Sequence, residues 1–387
     1  MAHDTQASPQ DDSADPQHAA ASRSQSPTQS RRKVILIALS VLLLTAAGVR
    51  IGLFLQDNGL GSGSGSAALA RAGAGDSGIR SFGDFEMSDL RVPRDELRRG
   101  GPPPDGIPAL VTAPAAEAGT ENPLDLPPTP VLPADRAGDL YGESRVFSVT
   151  IDGQTRGYPL AVLNWHEIVN DVLGDEPIAV VYCPLCDSAS VVSRSLEAGE
   201  DAITTTFGVS GLLYNSNVVL YDRATRSLWS QVKLEAISGP HAGDELEHVG
   251  RWSMMTAKRF AADFPEATVL AEDTGSRRNY ARNPYADYFS NDSLMFPVSH
   301  QDDRLPNKTR VVGLRHGDDA VAVPLSHIRE HQGNAMRVKV GGETVQLQVG
   351  ATGASVRTEN PDIASVHTFW FAWAASHPET RIAGGDS

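Results

Sequence analysis

Near the N-terminus of the chain, one long apolar run stands out from the surrounding polar sequence. Residues 34–55 carry no charge except Arg50. As a helix this segment is long enough to cross a hydrocarbon core of about 30 Å. Three basic residues, Arg31, Arg32 and Lys33, precede the run. Because basic residues flank the cytoplasmic side of membrane helices, the pattern predicts a cytoplasmic N-terminus and an exported remainder.

The expected location is therefore the cell membrane, with a single-pass helix whose partner is the lipid bilayer. An uncleaved signal-anchor is favoured over a cleavable signal peptide, because the polar lead of residues 1–33 is long for a signal n-region. Those residues are expected to be a disordered cytoplasmic tail. Both alternatives export the main domain.

Glycine, serine and proline dominate the stretch after the apolar run. Residues 58–78 are rich in Gly, Ser and Ala, which is typical of a flexible tether. Residues 101–133 carry several proline clusters, which favour extended segments over a packed core. The composition predicts a linker over 56–134 and an extracytoplasmic globular domain over 135–387.

Two stretches of the predicted domain repeat 165 positions apart, residues 146–166 and 311–331. Each is expected to form a strand, a polar turn, a second strand, and a short helix that begins at a proline, Pro159 or Pro324. A match of this length predicts an internal duplication of a β-rich half.

Short apolar runs bounded by turn residues predict further strands, at 177–182, 203–209, 217–222, 336–340 and 344–349. Helices are expected at 159–173, near 253–263 and at 369–376. The predicted fold class is α+β, dominated by β-structure and preceded by one transmembrane helix.

The formal net charge of −15 argues against a nucleic-acid partner, because binding phosphates requires a basic surface. A small-molecule or metal ligand is compatible with it. Two cysteines are too few for a disulfide-rich scaffold, so their spacing carries the information.

Cys183 and Cys186 are separated by two residues and follow an apolar strand. Such a pair can form a disulfide, bind a soft metal or exchange with another disulfide. Exported thiols tend to oxidise, which favours a disulfide or copper over structural zinc. A thioredoxin-like motif is disfavoured, because the residues after Cys186 are poor helix formers.

His166 is the candidate third ligand beside the two cysteines. A zincin motif is excluded because position 170 is Asn rather than His. The Gly- and Asn/Ser-rich segment 207–231 predicts either an ordinary hairpin, with its turn at Asp222 and Arg223, or a pocket lined by Ser210, Asn215, Ser216 and Asn217. The spacing around Ser210 does not match a hydrolase nucleophile elbow.

Taken in order, these segments resemble DUF3179, a family of unknown function. The matching segments are RGYPL (156–160), HEIVND (166–171), YCPLC (182–186), FGVSGLLYNSN (207–217), YDRATRSLWSQ (221–231), GP (239–240), RNPYADY (282–288), TFWFAW (368–373) and HPET (377–380). The resemblance implies an exported or membrane-tethered bacterial or archaeal domain, and it implies no reaction. Its members carry a histidine, two cysteines and an Asn/Ser segment at positions that match His166, Cys183, Cys186 and 215–217. Val323, where the first repeat has Tyr158, departs from the pattern.

Three functions therefore stand as predictions. The first is a soft-metal site, with copper bound by Cys183, Cys186 and His166. The second is a thiol–disulfide oxidoreductase, and the third is a non-catalytic ligand-binding module with a structural disulfide between the same cysteines.

Overall fold

The structure is a computed structural model, and it describes residues 85, 87–112, 128–198, 201–331, 335–350, 353–357, 360 and 362–384. All of them belong to one compact unit, residues 71–387. The predicted tail 1–33 and membrane helix 34–55 lie outside the described residues. Within the described part of the chain, no helix has the length and apolar character needed to span a bilayer.

The described residues confirm a β-dominated α+β fold. Its strands are β1 (Leu97–Arg99), β2 (Leu110–Val111), β3 (Val131–Pro133), β4 (Arg145–Ile151), β5 (Gln154–Pro159), β6 (Ile168–Leu173), β7 (Glu176–Cys183), β8 (Ser188–Ser193), β9 (Ser195–Ala198), β10 (Asp201–Thr204), β11 (Phe207–Tyr214), β12 (Asn217–Asp222), β13 (Leu228–Ser230), β14 (Glu235–Ser238), β15 (Arg251–Thr256), β16 (Thr268–Leu270), β17 (Arg310–His316), β18 (Asp319–Pro324), β19 (Met336–Val340), β20 (Glu343–Gly350), β21 (Gly353–Arg357), β22 (Ala364–Phe369) and β23 (Arg381–Ile382). The helices are α1 (Asp135–Tyr141), α2 (Leu160–His166), α3 (Ala257–Asp263), α4 (Ala286–Phe289), α5 (Leu325–Glu330) and α6 (Trp370–Ser376), and a 3-10 turn spans Arg94–Glu96.

Two eight-stranded sheets contain most of the strands. Their orders are β19-β20-β21-β15-β4-β5-β16-β3 and β2-β6-β7-β8-β22-β17-β18-β23. A five-stranded sheet, β1-β11-β12-β13-β14, and the β9-β10 hairpin complete the described strands. The five-stranded sheet contributes the hairpin that reaches the cysteine pair.

The two repeated stretches have the same local structure. The β4–β5 hairpin pairs Val146 with Pro159, and the β17–β18 hairpin pairs Val311 with Pro324. In each, the proline is the N-cap of the following helix, α2 or α5. Proline fits this place because its fixed φ suits the helix start and no intrahelical bond needs its missing N–H.

Each large sheet combines strands from both halves of the domain. The first contains β4, β5, β15 and β16 from the first half of the domain together with β19–β21 from the second. The second contains β17, β18, β22 and β23 together with β6–β8 from the first half. The turn between β7 and β8, which carries both cysteines, therefore lies in a sheet that takes four of its eight strands from the second half of the domain.

Three strands precede Asp135, within the stretch expected to be a linker. β1 pairs with β11, β2 with β6, and β3 with β16. Folded structure in the chain therefore begins earlier than composition predicts. Strands of two or three residues are too short to show an alternation of apolar and polar positions in a segment rich in proline and glycine.

The helix expected over 159–173 is wrong beyond His166. Glu167 has a φ of 58°, which ends the helix, and residues 168–173 form β6. Apolar residues in this segment fit both a helix and a strand, and pairing with β7 selects the strand.

Candidate functional site

Cys183 ends β7, and the next residues turn back into β8. The Cys186 N–H donates to the Cys183 carbonyl at 3.2 Å, which closes a tight turn around Pro184 and Leu185. Both cysteines are free and fully buried. As expected, the second thiol is followed by a strand rather than a helix.

A two-residue hairpin turn between β11 and β12 covers the thiols. Asn215 and Ser216 have φ values of 50° and 63°, the left-handed pair that a tight hairpin turn requires. The Ser216 carbonyl oxygen lies 3.3 Å from Cys186 Sγ and 4.0 Å from Cys183 Sγ. The predicted cysteine pair and the predicted Asn/Ser segment, which are separated in sequence, thus form one site.

The two thiols have different electrostatic surroundings. Burial by itself would raise the pKa of Cys183. Hydrogen bonds from the Cys186 thiol and from the backbone N–H groups of Cys186, Val218 and Leu185 outweigh this effect, so the net shift lowers the pKa. Burial and the adjacent Cys183 raise the pKa of Cys186 well above that range. The surroundings therefore favour the thiolate at Cys183 and the protonated thiol at Cys186.

Asn217 fixes this hairpin to β8 and to the segment after β13. Its amide group donates to Gln231 Oε1 at 2.8 Å and to Ser188 Oγ at 3.2 Å, and its Oδ1 accepts from the Val232 N–H at 3.2 Å. Gln231 Nε2 in turn donates to Ser190 Oγ at 3.1 Å. These hydrogen bonds give the buried polar side chains partners inside the protein, so uncharged groups stabilise the site.

The other predicted pocket residues have different roles. The Ser210 hydroxyl donates to the Val219 carbonyl and accepts the Leu212 N–H at the bulge in β11, so it stabilises the strand. Asn215 donates to the Ala375 carbonyl at 3.2 Å and accepts from the Ser299 N–H and hydroxyl at 2.8 Å. Of the turn residues, Ser216 has a buried Oγ without a hydrogen-bond partner.

His166 is not arranged as a third metal ligand. Its Nδ1 lies 2.8 Å from the Pro108 carbonyl, so Nδ1 carries the proton, and its Nε2 accepts from the Tyr280 hydroxyl at 2.6 Å. Burial lowers the pKa of His166 to about 4. In the described ranges, no group of three or more His, Cys, Asp or Glu side chains is placed to bind a metal ion. The expected three-ligand site therefore has only its cysteine pair.

Sequence reasoning missed three ionisable residues around the thiols. Glu167 is buried at the junction of α2 and β6, and burial followed by the Cys183 charge raises its pKa well above the usual carboxyl range. The Tyr288 hydroxyl donates to the Leu185 carbonyl at 2.9 Å. Burial, then the charges of Glu167 and Cys183, raise the pKa of Tyr285. Glu167 directly follows the candidate ligand His166, and this adjacency was the sequence signal that could have identified it.

Asp187, directly after Cys186, was also missed. Its carboxylate is fully buried and accepts two hydrogen bonds from Arg145, at 2.6 and 2.9 Å, and one from Arg310 at 2.6 Å. The Tyr182 hydroxyl donates to it at 2.9 Å, while the His367 ring, at 3.9 Å, is too far for a hydrogen bond. Burial would raise the pKa of Asp187, but Arg145 and Arg310 hold it well below the usual range.

Comparison with known proteins gives one informative match. A family model described as "Protein of unknown function (DUF3179)" matches residues 104–380. No curated protein and no solved structure matches the chain. The match spans the cysteine turn, the Asn/Ser hairpin and Asp187.

Proposed function

The chain belongs to the DUF3179 family, whose description assigns no function, and we propose that it is a thiol–disulfide redox protein acting through Cys183 and Cys186. The observation that carries the proposal is the arrangement of the pair. Both thiols lie in one turn facing the Ser216 carbonyl, and the surroundings favour the thiolate at Cys183 and the thiol at Cys186.

In this function Cys183 attacks a disulfide of the substrate. One substrate sulfur leaves as a thiolate, and a mixed disulfide joins Cys183 to the other. Cys186 then loses its proton and attacks Cys183 Sγ, which releases the second substrate thiol. Two electrons pass from the cysteine pair to the substrate disulfide, and the reverse sequence oxidises a dithiol.

The test uses the full chain equilibrated in glutathione redox buffers. We expect a reversible loss of two hydrogens by intact mass, and alkylation of Cys183 that titrates below the pH of an ordinary thiol. Cys186→Ser should accumulate a mixed disulfide on Cys183, whereas Cys183→Ser should not. A pair that never changes oxidation state, or an alkylation rate that stays at the level of an ordinary thiol from pH 5 to pH 8, would refute the proposal.

A copper site is the second candidate, and one observation favours it. Both Sγ atoms approach a single carbonyl oxygen, so the two soft sulfur ligands converge. Binding of about one Cu(I) by the reduced full chain, abolished in Cys183→Ser but kept in His166→Gln, would support a two-cysteine site. Lack of Cu(I) uptake by the wild-type chain would exclude it.

The third candidate is a ligand-binding module in which the cysteines form a structural disulfide. The support is the tight turn that holds Cys183 and Cys186 together, where a disulfide would fix the end of β7 to the start of β8. A Cys183–Cys186 disulfide that resists every glutathione buffer, with equal ligand binding after forced reduction, would favour the module.

We also propose that residues 34–55 anchor the chain in the membrane with the described unit outside the cytoplasm. The uncharged run and the basic residues before it support this topology. An oxidising compartment would supply disulfide substrates. An alkaline phosphatase fusion at the C-terminus should be active, and carbonate washing should leave the chain in the membrane fraction. An inactive fusion or a washed-off chain would contradict the topology.

Finally, we propose that the two repeats arose by duplication. The support is their common hairpin register, the helix after each proline, and the parallel pairing of β16 with β5 and of β23 with β18. An experimental structure in which the two hairpins differ in register would overturn this origin.

A further inference from the structure

We infer that Glu167 is the proton-transfer residue of the cysteine pair, giving a proton to the leaving thiolate and taking one from Cys186. The inference rests on the proposed redox function. Glu167 lies outside the CxxC motif. Two features of this residue carry the inference: its position beside the end of β7, and the lack of a cationic partner for its buried carboxyl group among the described residues.

The backbone fixes Glu167 beside the first cysteine. Its N–H donates to the Leu163 carbonyl at 2.9 Å, and its own carbonyl accepts the Tyr182 N–H at 2.7 Å. Tyr182 immediately precedes Cys183, so Glu167 lies across from the end of β7. The φ of 58° is unusual for a residue with a long side chain, and such conformations persist where contacts on both sides impose them.

Every other buried carboxylate of the described residues has a partner that explains it. Asp171 pairs with Arg156 and also accepts the Tyr158 hydroxyl. Asp187 pairs with two arginines, and Asp222 accepts from the Trp229 indole and from Thr225. Across these ranges Glu167 takes part in no ion pair, although it is only 7% exposed. A buried carboxyl group without a cation keeps its proton at neutral pH, as a proton donor requires.

The charges that couple to this carboxyl belong to a thiol and a phenol, Cys183 at the end of β7 and Tyr285 before α4. Cys183 in turn couples to Cys186 and to Tyr288. His166, the preceding residue, is bonded to Pro108 and Tyr280 and is neutral at pH 7. Cys183 is therefore the group whose charge couples to Glu167.

The proton balance of the exchange fits this cluster. The Cys183 thiolate attacks the substrate disulfide, and the leaving thiolate takes the proton of the Glu167 carboxylic acid. The Glu167 carboxylate then accepts the proton from Cys186, whose thiolate attacks Cys183 Sγ. The second substrate thiolate is released and takes a proton from water. Glu167 ends in its starting state, two cysteines have become a disulfide, and two electrons have passed to the substrate.

The experiment compares the full-length wild type with Glu167→Gln, Glu167→Asp and the exposed control Glu266→Gln. We expect Glu167→Gln to slow resolution of the mixed disulfide on the order of 100-fold, the usual range for loss of a general acid–base. The pH dependence of the resolution rate should also lose the ionisation of Glu167, because Gln can neither give nor accept a proton. Glu167→Asp should restore part of the rate, and Glu266→Gln should match the wild type.

Different results refute the two claims separately. A wild type that forms no disulfide in glutathione buffers refutes the redox function. A wild type that exchanges normally, with a Glu167→Gln variant of unchanged rate and unchanged pH dependence of that rate, refutes the role of Glu167 alone. If Glu167→Gln does not fold, the folded Glu167→Asp variant decides, because a structural role predicts an unchanged pH profile and a proton-transfer role predicts a shifted one.

Discussion

Asp187 connects the two repeats through one buried carboxylate. Arg145 begins β4 and Arg310 begins β17, which are equivalent positions of the two hairpins, and both guanidinium groups bind the same side chain. A carboxylate without solvent needs such partners, since an unpaired buried charge is costly. Its position next to Cys186 makes it a fixed point for the cysteine turn.

Replacing Asp187 by Asn should therefore destabilise the fold strongly. The change leaves two guanidinium groups facing a neutral amide, and we expect a loss of about 3 kcal/mol or more in the free energy of unfolding, measured by urea denaturation. Asp263→Asn, which breaks the exposed pair with Arg259, is the matched control and should cost about 0.5 kcal/mol or less. Equal small losses would show that the network contributes little.

At the scale of elements, glycines allow two helices to pack closely on their sheets. The Phe260 ring of α3 lies against Gly157 of β5, and the Trp373 ring of α6 lies against Gly313 of β17. A Cβ at Gly313 would come within 2.2 Å of the Trp373 ring. No side chain fits there unless the helix moves.

Gly313→Ala should accordingly reduce stability, by about 1–3 kcal/mol, the usual cost of overpacking a core. The same substitution at Gly138 in α1 should act in the opposite direction. Its nearest neighbours lie 3.9 Å from the added Cβ, and alanine restricts the unfolded chain, so we expect a gain of about 0.4–1 kcal/mol. Urea midpoints of both variants against the wild type check the two signs, and a stable Gly313→Ala would contradict the close contact.

For the whole molecule, buried neutral histidines couple folding to pH. Burial lowers the pKa of His166 and of His248 to about 4, and that of His377 to about 3. An unfolded histidine binds its proton near pH 6.5, so between that pH and about 4 the unfolded state holds more protons than the folded state. Burial also lowers the pKa of His367. Glu167, with its raised pKa, acts in the opposite sense, but one group opposes four histidines.

Stability should consequently fall as the pH is lowered from 6.5 towards 4. Each of His166, His248 and His377 contributes a loss of about 2 kcal/mol at pH 5, partly offset by Glu167. Urea denaturation at pH 7 and pH 5 measures the difference, and His248→Asn should reduce it. Asp187, whose folded pKa is lowered, loses its contribution only as the pH approaches the unfolded carboxyl value of about 3.9, so it adds little between pH 7 and pH 5. A stability that is flat or rises towards pH 5 would disprove the coupling.

Local patterns were sufficient for many of the strands and for part of the site. The strands at 217–222 and 336–340 match β12 and β19, and both repeats form the hairpin and helix that their prolines predict. Pattern reasoning failed at Glu167, because a left-handed residue between two apolar segments leaves no periodic signal. It also failed for β1–β3, whose pairing partners are far along the chain.

By itself the sequence determined the family, the β-rich class and the adjacency of Cys183 and Cys186, because each depends on residues close together in the chain. Only the tertiary structure decided that the Ser216 carbonyl and Glu167 lie at the thiols, that His166 binds Tyr280 instead, and that Arg310 reaches Asp187. The physical reason is that these contacts depend on sheet order and strand register. In this fold each of the two large sheets is assembled from both halves of the domain, so neighbours in space come from distant segments whose pairing no local pattern records.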